Sequence, residues 1–290
     1  MVWTLTVYSA MAFAAVAIAG VLMVTTWRHR TEPHAASFSG LVAAIAAWSL
    51  VYGIQLGFTT PAEQLVWQRA TLAVASAVPP LWLLFALQYA GSDRWLTRPA
   101  LALFVVEPLT VSLAAVTNPL HHLLWTDAVF RPSVPVAALV FGPGYYAHVV
   151  AAYSMVAVGL GLLLSVAVRT VTTYRRQVGV LIAGTLPPFA THIAFTLGVS
   201  PVRGLDVTPF AFALTGVCFG LALFHFDLMD RTPVARERAL AAMGDGLVVV
   251  DDDGIVVDVN DIARTVVDRP PRVGEPLDDN LRALDGASRT

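Results

Sequence analysis

Lysine is missing from this chain of 290 residues, and cysteine occurs once, as Cys218. Without lysine the chain cannot form the Schiff base by which retinal proteins hold their chromophore, so that class is excluded. A single cysteine excludes an internal disulfide and any metal site built from several thiolates. The motifs Gly-x-Ser-x-Gly and His-Glu-x-x-His do not occur either. The sequence therefore predicts no catalytic residue and no cofactor.

Charged residues are scarce between residues 4 and 226, where long apolar runs dominate. Because about 20 apolar residues at a rise of ~1.5 Å cross the hydrocarbon core, each run is long enough for one transmembrane helix. The first run has no basic leader and is followed by six similar ones, so we expect it to stay in the mature protein. The pattern predicts an all-α membrane bundle, domain 1–226, with spans near residues 4–26, 38–58, 65–90, 99–117, 144–168, 178–199 and 206–226.

Arginine supplies all the basic side chains other than histidine, and it is unevenly distributed. Loops 27–37, 91–98 and 169–177 hold seven arginines, whereas the opposite loops hold Arg131 and Arg203. The positive-inside bias places the first three loops in the cytoplasm. The sequence therefore predicts a multi-pass cell-membrane protein with its N-terminus outside and its C-terminus in the cytoplasm. No basic patch lies away from the membrane-flanking loops, so nucleic acid is not an expected partner.

The chain after Phe226 has the composition of a water-soluble module. Residues 227–290 hold fourteen Asp or Glu against eight Arg, and none of the seven histidines. We predict a linker helix over residues 227–241, in which Pro233 prevents a rigid continuation of the seventh span. This linker either carries motion from the bundle or serves as a passive tether.

Two short β-branched runs follow the linker. Residues 247–250 and 255–259 flank an Asp-Gly turn, which predicts a β-hairpin. Asn260 then lies where its side chain would cap a short helix. Segment 242–290 is therefore expected to form a small α+β piece.

Six strings of residues carry a resemblance to a known family. Together they are similar, in the same order, to the seven-helix N-terminal sensor region of microbial histidine kinases. The resemblance covers about three quarters of the chain and implies a signal-input domain, with dimerisation through parallel linker helices. The strings are residues 48–52 (WSLVY), 79–89 (PPLWLLFALQY), 117–127 (TNPLHHLLWTD), 142–146 (GPGYY), 174–177 (YRRQ) and 205–212 (LDVTPFAF).

The C-terminal segment resembles the opening of a PAS sensor domain, although an unrelated hairpin module is the alternative. A PAS fold needs roughly 100 residues to close its sheet, so segment 242–290 is expected to be an incomplete one. A phosphoacceptor histidine and an ATP site of the kinase type are not found in the sequence. We expect a sensor without its own kinase activity, which acts through a separate histidine kinase or PAS-containing partner, or else a truncated remnant.

Three polar side chains lie inside predicted spans, where burial is costly. Glu107, His148 and His192 are each expected to face the bundle interior, because exposure to lipid would cost roughly 1 to several kcal/mol. They are candidate residues of a ligand pocket. Alternatively, each is a structural side chain bonded to a neighbouring helix.

The loop over residues 118–143 holds further candidates. His121, His122 and Trp125 are expected at the mouth of an extracellular pocket, on the basis of the resemblance. Trp125 is also typical of the membrane interface. The two histidines with Asp127 are not expected to bind a metal, because neighbouring imidazoles on an extended backbone point apart.

Two proline pairs interrupt predicted spans. Pro79 and Pro80 lie in the third span, and Pro187 and Pro188 lie in the sixth. Proline removes a backbone hydrogen bond and bends a helix, so these pairs are candidate hinges or static kinks.

The sequence as a whole favours a membrane sensor that binds an unknown small ligand and relays its presence to the cytoplasm. A homodimer in the lipid bilayer is expected from the resemblance. A small-solute transporter is the main alternative, because proline-broken helices and buried polar groups suit a substrate pathway.

Overall fold

The computed structural model describes residues 3–28, 34–130, 136–169, 172–202, 204–226, 228, 246, 248–250, 254–259, 263 and 275–277. The chain divides into two compact units, Met1–Arg231 and Thr232–Thr290. Eight α-helices fill the described part of the first unit. They are α1 Val7–Arg28, α2 Ala35–Gln55, α3 Pro61–Ala75, α4 Val78–Tyr89, α5 Arg98–His121, α6 Pro143–Arg169, α7 Thr172–Thr196 and α8 Thr208–Phe224.

The helices coincide with the seven predicted spans. Within the described residues, six are long and apolar enough to cross a membrane when α3 and α4 are taken together as Pro61–Tyr89. The seventh apolar helix, α8, has 17 residues. The protein is thus a multi-pass, mostly helical membrane protein, as the apolar runs predict.

Proline breaks the third span into two helices. α3 ends at Ala75 and α4 begins at Val78, with a turn at Ser76 between them. Pro79 and Pro80 have no N–H group for the carbonyls one turn earlier, so the helix cannot run through them with its full set of hydrogen bonds. Before the prolines, the N–H of Ala77 donates to the carbonyl of Val74 at 3.2 Å, and the Ser76 hydroxyl donates to the carbonyl of Ala73 at 2.8 Å.

The second proline pair does not end its helix. α7 runs continuously past Pro187 and Pro188, so the sequence prediction of an interrupted span is wrong here. Pro188 leaves the carbonyl of Gly184 without its helical donor. The hydroxyl of Thr215 on α8 donates to that carbonyl at 2.7 Å. A neighbouring helix therefore replaces the lost bond, as the hydrocarbon environment requires.

Aromatic rings fill the centre of the bundle. The Phe38 ring of α2 lies 5.3 Å from Phe85 of α4 and 5.4 Å from Phe219 of α8, measured between ring centroids. All three side chains are buried. α5 lies at the periphery, because only Val111, Ala115 and Asn118 of its residues are buried.

A β-hairpin joins α5 to α6, where the sequence analysis expected a plain loop. Strands β1 (Trp125–Val129) and β2 (Ala138–Phe141) pair antiparallel. The Asn118 side chain accepts from the backbone N–H of Leu124 and donates to the carbonyl of Trp125, both at 2.9 Å. This amide fixes the hairpin to the end of α5.

The second unit contains the predicted hairpin. Strands β3 (Val248–Val250) and β4 (Val256–Val259) pair antiparallel, close to the boundaries read from the sequence. The backbone of residues 275–277 pairs beside β4, where Val256 donates its N–H to the carbonyl of Glu275 at 2.9 Å. Asn260 and the predicted linker helix lie outside the described residues, apart from Leu228. The assignment to a PAS domain stays a prediction.

Close packing of α4 on α6 depends on a glycine. A Cβ atom added at Gly159 would overlap the indole of Trp82, which is buried, whereas one at Gly161 would meet nothing within 4 Å. We predict that Gly159→Ala lowers the free energy of unfolding by about 1–3 kcal/mol, because the added Cβ would push the Trp82 ring away from the Val156 carbonyl to which its indole N–H donates. Thermal unfolding in detergent micelles measures this. The matched control Gly161→Ala should unfold at the wild-type temperature or above, since alanine is the better helix former. Equal behaviour of the two variants would contradict the packing described here.

Candidate functional site

A cavity of about 140 Å³ lies inside the transmembrane unit. It is bounded by α2, α3, α4, α6, α7 and α8, and the β1–β2 hairpin contributes side chains at one end. Both the turn between α3 and α4 and the start of α8 adjoin it. Mostly apolar spaces between helices are common ligand sites.

Three tryptophans line the cavity: Trp48 of α2, Trp82 of α4 and Trp125 of β1. The indole N–H of Trp82 donates to the carbonyl of Val156 at 3.3 Å. Trp48 is only 7% exposed, and its indole nitrogen has no hydrogen-bond partner among the described residues. A buried donor left unpaired costs about 1–3 kcal/mol. The nitrogen is not accessible to a water-sized molecule, so it is an unpaired donor buried beside the cavity.

One wall carries a carboxylate. Asp206, which precedes α8, is 8% exposed and lines the cavity. Its backbone N–H donates to the hydroxyl of Tyr52 on α2 at 2.9 Å, and its Oδ1 accepts from the backbone N–H of Thr208 at 2.9 Å. Among the described lining residues, Asp206 is the only Asp, Glu, Arg or Lys. The histidines aside, the described lining is thus uncharged except at this one position.

The wall between α2 and α3 is polar but satisfied. The Gln55 side chain donates to Oε1 of Gln68 and accepts from the hydroxyl of Thr71, both at 2.8 Å. Because these three side chains bond to one another, we interpret them as a connection between the two helices and not as ligand-binding groups.

His192 of α7 lines the cavity, as does His148 of α6. The Tyr153 hydroxyl shares hydrogen bonds with Nδ1 of His192 at 2.9 Å and with the hydroxyl of Thr196 at 3.0 Å. His192 is therefore both a lining residue and a link between α6 and α7. From the sequence, His192 is either a pocket residue or a structural side chain bonded to a neighbouring helix, and its position in the structure is compatible with both.

Glu107 and His148 form a pair. Oε1 of Glu107 lies 2.5 Å from Nδ1 of His148, and this contact joins the peripheral helix α5 to α6. Glu107 does not line the cavity itself, and its Oε2 has no partner among the described residues. The structure thus connects Glu107 to the cavity only through His148.

His121 and His122 lie elsewhere. His121 is the last residue of α5, where its Nε2 shares a hydrogen bond with the Thr117 hydroxyl and its Nδ1 accepts from the N–H of Leu123, both at 3.0 Å. His122 adopts the left-handed conformation that ends the helix, with φ 54°. Both are exposed and outside the cavity lining, and the extended backbone expected for them is wrong. Of the three candidates from this loop, Trp125 alone reaches the cavity.

Two of the four prolines that are candidate hinges line the cavity. Pro79 and Pro188 line the cavity, whereas Pro80 and Pro187 do not. Any change of angle at the turn between α3 and α4 would therefore alter the cavity wall.

Sequence reasoning missed Trp48, Tyr52 and Asp206 as site residues. The signals were present, because Trp48 and Tyr52 are four residues apart and thus share one face of a helix. Asp206 stands two residues before the first turn of α8, the position of a residue that binds free backbone amides. The strings that contain these residues, 48–52 and 205–212, point to the family resemblance but not, by themselves, to a site.

The family model that describes the N-terminal 7TM region of histidine kinase matches residues 11–233. The chain belongs to this family. The match includes the cavity and every helix described above except the first turn of α1, so this 7TM region is a membrane sensor-type input domain of signal transduction. The resemblance drawn from the six strings is confirmed. Comparison with curated proteins finds no similar sequence.

The end of this 7TM region is tied to the bundle by three polar side chains, which we call the exit clasp: His34, Tyr89 and Gln177. Nε2 of His34 shares a hydrogen bond with the carbonyl of Leu228 at 2.8 Å. The Gln177 amide donates to the carbonyl of Phe226 at 2.9 Å and its Oε1 accepts from the Tyr89 hydroxyl at 2.6 Å. The clasp lies just beyond the C-terminal end of α8 at Phe224, whereas the cavity extends along α8 from Thr208 to Phe219.

The pair of Glu107 and His148 yields a testable prediction. Glu107→Leu or His148→Leu alone should lower the free energy of unfolding by about 1–2 kcal/mol, because each leaves a polar partner unpaired between helices. The double variant should recover most of that loss, since two apolar side chains replace the pair. Unfolding titrations of the four proteins in mixed micelles give the coupling. Additive losses in the double variant would contradict a direct interaction.

Proposed function

We propose that this 7TM region is a receptor whose cavity binds a small ligand and whose eighth helix relays occupancy to the chain that follows. The cavity between the helices, with its aromatic lining and the carboxylate of Asp206, carries the proposal. A family of sensor-type input regions requires a place where the stimulus acts, and a mostly apolar cavity with a few polar side chains is typical of ligand sites. Trp125, His148 and His192 from the sequence analysis belong to the proposed pocket.

The relay follows from the residues of α8. Thr208, Phe212, Thr215 and Phe219 line the cavity on successive turns, and the helix ends at the exit clasp. A ligand shifts a conformational equilibrium only when it prefers one state. Contact with α8 supplies that preference, because a ligand seated in the cavity favours the helix position that leaves room for it.

Further elements of the proposal rest on the sequence. The arginine distribution supports an N-terminus outside, a cytoplasmic C-terminus and an extracellular β1–β2 hairpin. The family supports a homodimer that signals through a histidine kinase or PAS-containing partner, with no catalysis in the 7TM region itself. Pro79 and Pro188 support hinges at the cavity wall.

Filling the cavity tests the receptor proposal. Ala152 of α6 is buried and lines the cavity, whereas Ala157 of the same helix is exposed and does not. Small neutral, cationic and anionic molecules are added in turn to the purified wild-type protein. We predict that at least one of these three classes changes the tryptophan fluorescence and raises the unfolding temperature. Ala152→Leu should abolish both effects because its side chain occupies the space.

The variant Ala157→Leu is the control, with the same added volume on the outer face, and it should respond like the wild type. Retained binding by Ala152→Leu, or no response of the wild type to any class, would refute the cavity as the receptor site.

A transporter is the second candidate, and the turn between α3 and α4 favours it. Discontinuous helices at a central cavity are typical of secondary transporters. Sealed vesicles that contain the protein decide between the two functions. The receptor proposal predicts that a molecule which binds in the fluorescence assay enters these vesicles no faster than protein-free ones. Uptake that depends on the protein and is lost in Ala152→Leu would establish transport instead.

A further inference from the structure

The charge of the cavity wall restricts its ligand. Asp206 is the only Asp, Glu, Arg or Lys among the described residues of the lining. Burying an ionisable side chain in a membrane bundle costs free energy, so such a residue is a candidate functional residue. A positively charged ligand would offset that cost.

The aromatic walls favour the same sign of charge. Trp48, Tyr52, Trp82, Trp125 and Tyr153 all line the cavity and present the rings that attract cations. A cation within about 6 Å of a ring centroid is stabilised by the electrons of the ring face, most strongly over tryptophan. Aromatic cages of this kind bind alkylated ammonium groups, which have little hydration to lose.

We propose that the cavity binds a small alkylated ammonium compound. The cation would lie among the aromatic rings near Asp206. The cavity has room for a molecule of the size of choline. This inference rests on the proposed receptor function and names the chemistry of its ligand.

Two probes of equal shape test the charge. Choline and the uncharged alcohol in which carbon replaces its nitrogen are titrated into the purified chain, with tryptophan fluorescence as the readout. Maltoside micelles are used, because phosphatidylcholine would supply a competing head group. The wild-type protein should bind choline at least about tenfold more tightly than the neutral alcohol.

Two variants test the residues. Asp206→Asn keeps a side-chain oxygen that can accept from the backbone N–H of Thr208, and it removes the charge. It should weaken choline binding by at least about tenfold. Asp127→Asn removes a charge from the exposed hairpin and should leave binding unchanged.

The outcomes separate the two proposals. Equal or tighter binding of the neutral alcohol, or choline binding that survives Asp206→Asn, would overturn the cationic ligand and leave the receptor cavity standing. Absence of choline binding would also overturn it, whereas the receptor proposal fails only if no class of small molecule binds the wild-type protein or if binding survives Ala152→Leu. Should Asp206→Asn fail to fold, the comparison of choline with its uncharged isostere in the wild-type protein decides the matter alone.

Discussion

Hydrocarbon offers no hydrogen bonds, so each backbone or side-chain polar group inside the bundle needs a partner within the protein. α7 shows how the chain meets this demand where proline withholds a donor. The carbonyl of Gly184, freed by Pro188, receives the hydroxyl of Thr215 from α8. The bond that preserves one helix is therefore also a bond between two helices, and it lies at the cavity wall, since both Pro188 and Thr215 line that space.

The same demand identifies the groups that stand apart. Gln55, Gln68 and Thr71 satisfy one another, and Tyr153 bonds to His192. These contacts explain the buried polar side chains as connections between helices. The indole N–H of Trp48 has no such explanation among the described residues. The hydroxyls of Ser49 and Tyr145 are also buried without a partner among the described residues, so an unpaired donor alone does not mark a ligand site.

Apolar runs were sufficient to predict the helices, since the length needed to cross a membrane is a physical constant of the bilayer. The pairing of Glu107 with His148 was out of reach, because it depends on which helices are neighbours. The β1–β2 hairpin was missed because β2 pairs with β1 through contacts that no local pattern fixes, and the Asn118 side chain sets its start. For the prolines, the sequence predicts a lost hydrogen bond but not its replacement. In α7 a hydroxyl of α8 donates to the freed carbonyl and the helix is continuous, whereas the third span is interrupted at Ser76.

The two ends of the bundle are built from the same helices, which gives the proposed relay a mechanical basis. α2, α4, α7 and α8 line the cavity, and the same four supply the exit clasp with His34, Tyr89, Gln177 and the carbonyl of Phe226. Between these ends, Phe38, Phe85 and Phe219 pack three of the helices together at a buried core that resists compression. A helix displaced at the cavity therefore has to tilt about this core rather than bend locally. Because the clasp bonds are short and directional, a small tilt there alters the hydrogen bonds that hold the chain as it leaves the membrane.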